Sequence, residues 1–262
     1  MAVMPGVDFH PVVGEGALRM HRFDVVCLHT IGGPSDPPAG AAHFSTHADG
    51  RIFQSRDTRF RSEANANGNH RVIAIENDDA PKRFGSWNTD DGHAVPGFTP
   101  EQIQAIARIC AWAHKEHGIP LVACPDSRPG SRGIGYHRQG IDGNFGPFAF
   151  GGRVPDGEVW TEHFGKVCPG DRRISQIPQI IKRARIIAGL DEPELEEDED
   201  MQLIKGDRAD AVFVVVWSQP GAIAVRKRVP NEDDPGFKAA RAAGYAVRTV
   251  PQSVIDAIPD MH

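Results

Sequence analysis

Residues 191–200, Asp-Glu-Pro-Glu-Leu-Glu-Glu-Asp-Glu-Asp, place eight carboxylates and no basic group in ten positions. Like charges at that density repel, stay hydrated and extend the chain, so the segment is excluded from any core. A solvated helix tail would satisfy the same chemistry. However, apolar periodicity stops just before the run and a strand-like pattern starts just after it, which favours a linker over 191–204. The 262-residue chain therefore reads as a larger domain over 1–190 and a small module over 205–262. The latter is ~55 residues, near the lower limit for folding alone.

The charge distribution follows the same boundary. Outside the acidic run, residues 1–204 hold 21 Lys/Arg against 20 Asp/Glu, and residues 205–262 hold eight against seven, so the formal net charge of −6 arises within the run itself. Neither flank has the basic footprint of a nucleic-acid binder. No apolar stretch approaches the ~20 residues of a membrane span, and Met1–Gly6 lacks a basic region leading into an apolar one. The expectation is a chain without secretory signal or membrane insertion, made and kept in a cytosol until something else releases it. Cys27, Cys110, Cys124 and Cys168 have no CxxC spacing, so thiols rather than bridges are expected there.

Local patterns define the elements. Arg22–His29 reads as a buried strand running into Thr-Ile-Gly-Gly-Pro, a loop signal. Residues 43–46 and 51–54 flank Asp49-Gly50, a hairpin signature. Val72–Glu76 is another apolar strand. Thr99-Pro100-Glu101-Gln102 predicts a helix start with Thr as N-cap, Pro at the first position and Gln closing a capping box. Ile103, Ile106, Cys110 and Ala113 then share one face and Gly118 ends the helix. A second helix is expected over Pro178–Ala188, burying Ile180, Ile181, Ala184 and Ile187. The sum is an α/β fold with a central mixed sheet flanked by helices. The C-terminal module reads as ββαβ: strands over 211–217 and 222–227, a helix over 237–243 and a last strand over 245–250.

His29 closes the first strand, His137 closes the short strand-like Gly133–Tyr136, and Cys168 precedes the second helix. Two imidazoles and a thiolate leave the fourth position of a tetrahedron open, the arrangement of catalytic rather than structural zinc, which acidifies a bound water to a pKa near ~7. By residue type alone each of the 12 histidines is more often surface or core than ligand, and a lone Cys beside Pro is more often simply buried.

The strings around these residues resemble the zinc amidase family of bacteriophage endolysins, bacterial muropeptide amidases and animal peptidoglycan recognition proteins. The matching strings are Val25–His29, Ala42-His43-Phe44 followed by Asp49-Gly50-Arg51-Ile52-Phe53-Gln54, Ile73-Ala74-Ile75-Glu76, the Thr99–Gln102 helix start, and His137 followed by Lys166-Val167-Cys168-Pro169-Gly170. Together they cover about residues 22–189. The resemblance implies Zn2+ held by His29, His137 and Cys168 in a cleft over the sheet. It implies bacterial peptidoglycan as substrate, and cleavage of the amide between N-acetylmuramic acid and L-alanine. It further implies Glu76 as general base and Lys166 as oxyanion stabiliser. Taken without it, Glu76 is an ordinary strand-end carboxylate and Lys166 a surface lysine.

Several positions depart from the pattern. Ala42 stands where many relatives carry Tyr, which places the acid–base work on Glu76. Ser62-Glu63-Ala64-Asn65 replaces Trp-His-Ala-Gly, removing a substrate-contacting His. The 30 residues between His137 and Cys168 include a Gly- and aromatic-rich insertion, 140–157, expected to rim the groove; its Phe145, Phe148 and Phe150 suit either packing under the loop, which is favoured, or lining the cleft. The C-terminal module is similar to short terminal units of some phage lysins. Its Arg226-Lys227-Arg228 suits either contact with anionic wall polymers or a solvated strand face. An endolysin held in the host cytosol until lysis and then reaching the wall fits these features. A non-catalytic muropeptide binder of the same fold, or a zinc peptidase cutting the stem peptide, are the alternatives.

Overall fold

The computed structural model describes residues 2–12, 18–31, 40–79, 94–146 and 148–191, and in the C-terminal part residues 201–206, 212–216, 225–229, 238 and 247–250. The chain divides into two compact units, Met1–Glu192 and Pro193–His262.

The first unit is built on a six-stranded sheet. Its strands are β1 (Asp8–Phe9), β2 (Val25–Leu28), β3 (Phe44–Thr46), β4 (Ile52–Gln54), β5 (Val72–Asn77) and β6 (Gly133–Tyr136), in the order β1-β4-β3-β5-β2-β6. β5, β2 and β6 run parallel, β3 runs parallel to β5, and only the β3–β4 hairpin is antiparallel. Helix α1 (Pro100–His117) has the expected ends: the Thr99 side chain accepts from the Gln102 N–H in a capping box, and Gly118 closes it at φ 68°. α2 (Asp171–Ser175) and α3 (Ile177–Ile187) follow the Cys168 loop.

Alternation along the central strands decides which face is which. Val26, Leu28, Ile73, Ile75 and Ile134 join the main apolar cluster with Ile103, Ile106, Cys110 and Ala113 of α1 and Ile180 and Ala184 of α3. The opposite face presents Val25, Cys27 and Val72, which pack with Cys124 and Trp160. Helices therefore cover one face, and loops cover the other. Ile187, expected in the core, is 43% exposed: it lies in the last turn of α3, where the helix leaves the apolar cluster. The short α2, also unexpected from the sequence, directly follows Gly170.

The second unit has a four-stranded sheet in the order β10-β7-β8-β9. β7 (Met201–Gly206), β8 (Val212–Val216) and β9 (Val225–Val229) are antiparallel neighbours, and β10 (Val247–Val250) lies parallel to β7. β7 starts inside the stretch read as linker over 191–204. Its brief apolar Met-Gln-Leu-Ile core is too short to stand out as a strand beside eight acids, and pairing on both sides defines it. The helix expected over 237–243 lies outside the described residues except for Lys238. Among the described residues no helix is long and apolar enough to cross a membrane.

Candidate metal centre

The sheet register builds the site. Leu28 of β2 is level with Ile75 of β5 and with Tyr136 of β6. One residue further along these parallel strands come His29, Glu76 and His137, so all three stand in a row at the carboxyl edge on the face without helices. Crevices outside the carboxyl ends of parallel strands are where α/β sheets bind ligands. Cys168 reaches the same place from the loop before α2. The donor atoms of His29, His137 and Cys168 lie within 4.8 Å of one another, all buried, and the two imidazole rings are 4.2 Å apart between centroids.

The hydrogen bonds of the two histidines select one tautomer. His29 Nε2 lies 3.2 Å from Asn65 Oδ1, and His137 Nε2 lies 3.1 Å from the Trp160 carbonyl. Both partners are acceptors, so each Nε2 carries the hydrogen and each Nδ1 keeps its lone pair. His137 Nδ1 is buried with no hydrogen-bond partner, an arrangement that costs free energy unless another ligand takes the lone pair. Burial, followed by the charge of Lys166, lowers the His29 pKa to about 3. Burial, then the neighbouring His29, lowers His137 well below its ordinary value. Both rings are therefore neutral, the form that ligates metal. Burial pushes the Cys168 thiol up to about 12, so ligation there releases a proton. Two neutral imidazoles with inward lone pairs and one thiol fit Zn2+ by donor type.

Glu76 stands beside this group, with Oε1 3.8 Å from His29 Nδ1 and Oε2 buried without a hydrogen-bond partner. Burial raises its pKa to about 7, with Asp79 adding to the rise and Lys166 and Arg173 opposing it. Lys166, two residues before Cys168, acts electrostatically on His29, Glu76, His137 and Cys168 alike. Of the residues singled out in the sequence, His29, His137 and Cys168 come together, with Glu76 beside His29.

The scaffold beneath them escaped the sequence reading. The Thr30 N–H donates to Cys168 Sγ over 3.3 Å, and the Thr30 hydroxyl donates to Asp79. Asp79 in turn pairs with the buried Arg173 at 2.7 Å, whose guanidinium also donates to the Asn77 and Asp78 carbonyls. The Asn77 side chain donates to the His29 carbonyl at 2.7 Å. Asn65, seen in sequence only as the last residue of the string that lacks a substrate-contacting His, holds the His29 ring. No pattern in the sequence marks these partners, because each is a polar residue in a loop or at a strand end until the fold pairs it.

The insertion over 140–157 packs against the site rather than waving above it. Arg138, adjacent to ligand candidate His137, is buried and donates to Asp171 at 2.6 Å, to the Val167 carbonyl at 2.6 Å and to the Phe150 carbonyl at 3.0 Å. Its guanidinium faces the rings of Phe145 and Phe148 at 5.3 and 5.2 Å, a cation–π arrangement. Phe145 is buried with Ile141 and Val167, as expected for packing rather than cleft lining. The Trp160 indole packs with Val25, Cys27, Val72 and Cys124. A Cβ on Gly140 would lie 2.2 Å from its Cγ and one on Gly68 2.5 Å from its Nε1, so glycine at both positions makes room for the indole whose backbone carbonyl meets His137.

Residues 19–170 match the family model described as N-acetylmuramoyl-L-alanine amidase, Amidase_2. This chain belongs to that amidase family. The match spans the whole row of site residues, from the strand before His29 to Gly170. Among solved structures, this amidase-family chain is similar to the Clostridium intestinale URNW endolysin N-acetylmuramoyl-L-alanine amidase LysCS, at 13% identity and TM-score 0.41, covering 70% of this chain and 99% of that one. It is also similar to the Staphylococcus aureus hydrolase AmiA, at 14% identity and TM-score 0.47, covering 72% and 88%. A third is the Drosophila peptidoglycan recognition protein SD, at 11% identity and TM-score 0.41, covering 66% and 94%. No curated protein sequence gives a significant match.

Proposed function

We propose that the protein is a zinc-dependent N-acetylmuramoyl-L-alanine amidase of the endolysin type. It would cut peptidoglycan between the lactyl group of N-acetylmuramic acid and L-alanine. The observation that carries this reading is the row of His29, Glu76 and His137 at one sheet edge with Cys168 beside it, in a chain of the amidase family.

Zinc held by His29, His137 and Cys168 supplies Lewis acidity toward water and the scissile carbonyl. The other steps belong to the chain. Glu76, with a pKa of about 7, takes the proton of the attacking water and returns it to the leaving L-alanine amine, as a general base poised near neutrality does. The Lys166 ammonium stabilises the negative charge that grows on the acyl oxygen. Asn65 and the Trp160 carbonyl hold the imidazoles in place, and the Thr30–Asp79–Arg173 chain holds the thiol loop. In an endolysin the protein waits in the host cytosol and acts on the wall after the membrane opens. The second unit then serves as wall-binding module.

Digestion of purified peptidoglycan followed by mass spectrometry tests the assignment. New L-alanine amino termini on intact stem peptides are expected. Cleavage inside the stem peptide would make it a zinc peptidase instead, and binding without release would make it a recognition protein.

A further inference from the structure

The acceptors that orient the two imidazoles come from separate segments of the chain. Asn65, which meets His29, precedes the short 3-10 turn Ala66–His70, whereas the Trp160 carbonyl, which meets His137, belongs to the loop after the insertion. Two supports on different loops hold two rings at a fixed separation only when the loops are tied to each other. Here they are. The Asn67 N–H donates to the Val159 carbonyl at 3.2 Å, and Gly68 lies directly against the Trp160 indole.

Glu158 joins the two sides. Its Oε2 accepts from Arg71 Nε at 2.8 Å and from the Trp160 indole N–H at 3.3 Å. Arg71 follows the 3-10 turn directly and leads into β5, so a single carboxylate oxygen links the Asn65 loop to the Trp160 loop. The ion pair lies inside the protein, with the Arg71 side chain fully buried and that of Glu158 12% exposed. Arg71 gives its other N–H groups to the carbonyls of Ser127, Arg128 and Ser131, and the Glu158 N–H donates to the Ser127 carbonyl at 3.1 Å. Trp160 is held at its backbone as well, where its N–H donates to the Gly140 carbonyl at 2.7 Å. A buried charge-assisted bond between groups fixed on every other side adds geometric specificity as well as energy.

We propose that Glu158 is a positioning residue for the candidate metal centre. By clasping Arg71 and the Trp160 indole, it sets the spacing of the two acceptors and so presents the Nδ1 atoms of His29 and His137 as one preorganised pair. The inference rests on the reading of His29, His137 and Cys168 as zinc ligands. Glu158 acts through the groups behind the ligands, and its effect therefore falls on metal affinity and ligand geometry.

The test measures zinc affinity of the metal-free full chain by chelator competition, while Co2+ bound in place of zinc reports ligand geometry through its visible absorption. Glu158→Ala should weaken zinc binding by about 10-fold, the lower end of what loss of a group behind a ligand costs, and should alter the Co2+ spectrum. Glu158→Gln keeps an acceptor for both N–H groups and should restore both readouts. Trp160→Phe cuts only the indole link and leaves the Arg71 ion pair in place, so it serves even where the alanine variant does not fold. It should weaken zinc binding by about 2–5-fold, the scale of one hydrogen bond. Added to Asn65→Ala, Glu158→Ala should cost less than the product of the two separate losses, because one of its two supports is then already gone. A folded Glu158→Ala or Trp160→Phe chain with wild-type affinity and Co2+ spectrum, or losses that simply multiply, would overturn the proposal. A wild type that binds neither ion would instead overturn the metal assignment beneath it.

Discussion

Asn65→Ala isolates the contribution of the groups behind the candidate metal ligands. Asn65 is fully buried; its Oδ1 accepts from His29 Nε2 at 3.2 Å and its Nδ2 donates to Cys27 Sγ at 3.3 Å. Truncation removes the acceptor that fixes hydrogen on Nε2. Without it, the ring gains by moving its proton to Nδ1, which faces the Glu76 carboxyl at 3.8 Å, and that tautomer offers zinc no lone pair. Reversing it means leaving an N–H buried and unpaired, at a cost of about 1–3 kcal/mol. That corresponds to a loss of zinc affinity of about 10–100-fold, the range found when such partners are removed. Competition against a chromophoric chelator at fixed pH measures it, with circular dichroism of the zinc-free protein as control for folding. Asn65→Asp keeps an acceptor for Nε2–H and should retain zinc far better than the alanine variant. A folded Asn65→Ala protein binding zinc within about twofold of wild type would refute the tautomer argument.

Further outcomes follow from the same geometry. His137→Ala and Cys168→Ser should each abolish stoichiometric zinc in metal analysis, whereas Glu76→Gln should keep zinc and lower turnover by about 10²–10⁴-fold; a fully active Glu76→Gln returns that carboxylate to a bystander. Buried His43, whose Nδ1 accepts from the Ala74 N–H and whose Nε2 faces the Phe60 carbonyl, has its pKa lowered by burial from 6.5 to about 4. The unfolded chain therefore binds a proton between those values that the folded chain does not, so this contribution is complete above pH 6.5 and lost as pH falls toward 4. In urea unfolding of the zinc-free chain, the stability advantage of wild type over His43→Asn should shrink by about 2 kcal/mol from pH 7 to pH 5, the comparison cancelling the His29 and Glu76 shifts in the same range, and a pH-independent difference would contradict it. Deleting residues 193–262, the second compact unit, should spare cleavage of soluble muropeptides while weakening adsorption to intact walls, read by pelleting with cell-wall fragments.

What the sequence reveals about this site and what it hides have one physical origin. The positions of His29, Glu76 and His137 are legible because each ends a strand-like run, and parallel register sets the three ends level, whereas their candidate roles come from the family resemblance of the strings around them. The capping box at Thr99 is legible because it is local, three residues wide. Asn65 and Trp160 are not legible as ligand supports, since their contacts to His29 and His137 span 36 and 23 residues and involve a side-chain amide and a backbone carbonyl that any loop contains. Arg138 reads as one more basic residue, yet it is fully buried and ties the insertion to the Cys168 loop through Asp171 and two carbonyls. β7 was hidden for the opposite reason: a long acidic signal drowned a short apolar one, and only pairing with β8 and β10 defines it. Substituting the row at the sheet edge therefore tests a motif, whereas substituting Asn65 or Arg138 tests the fold's specific contribution to it. Chains that share the first and differ in the second should hold the same metal with different affinity, because a ligand's basicity and orientation are set by what stands behind it.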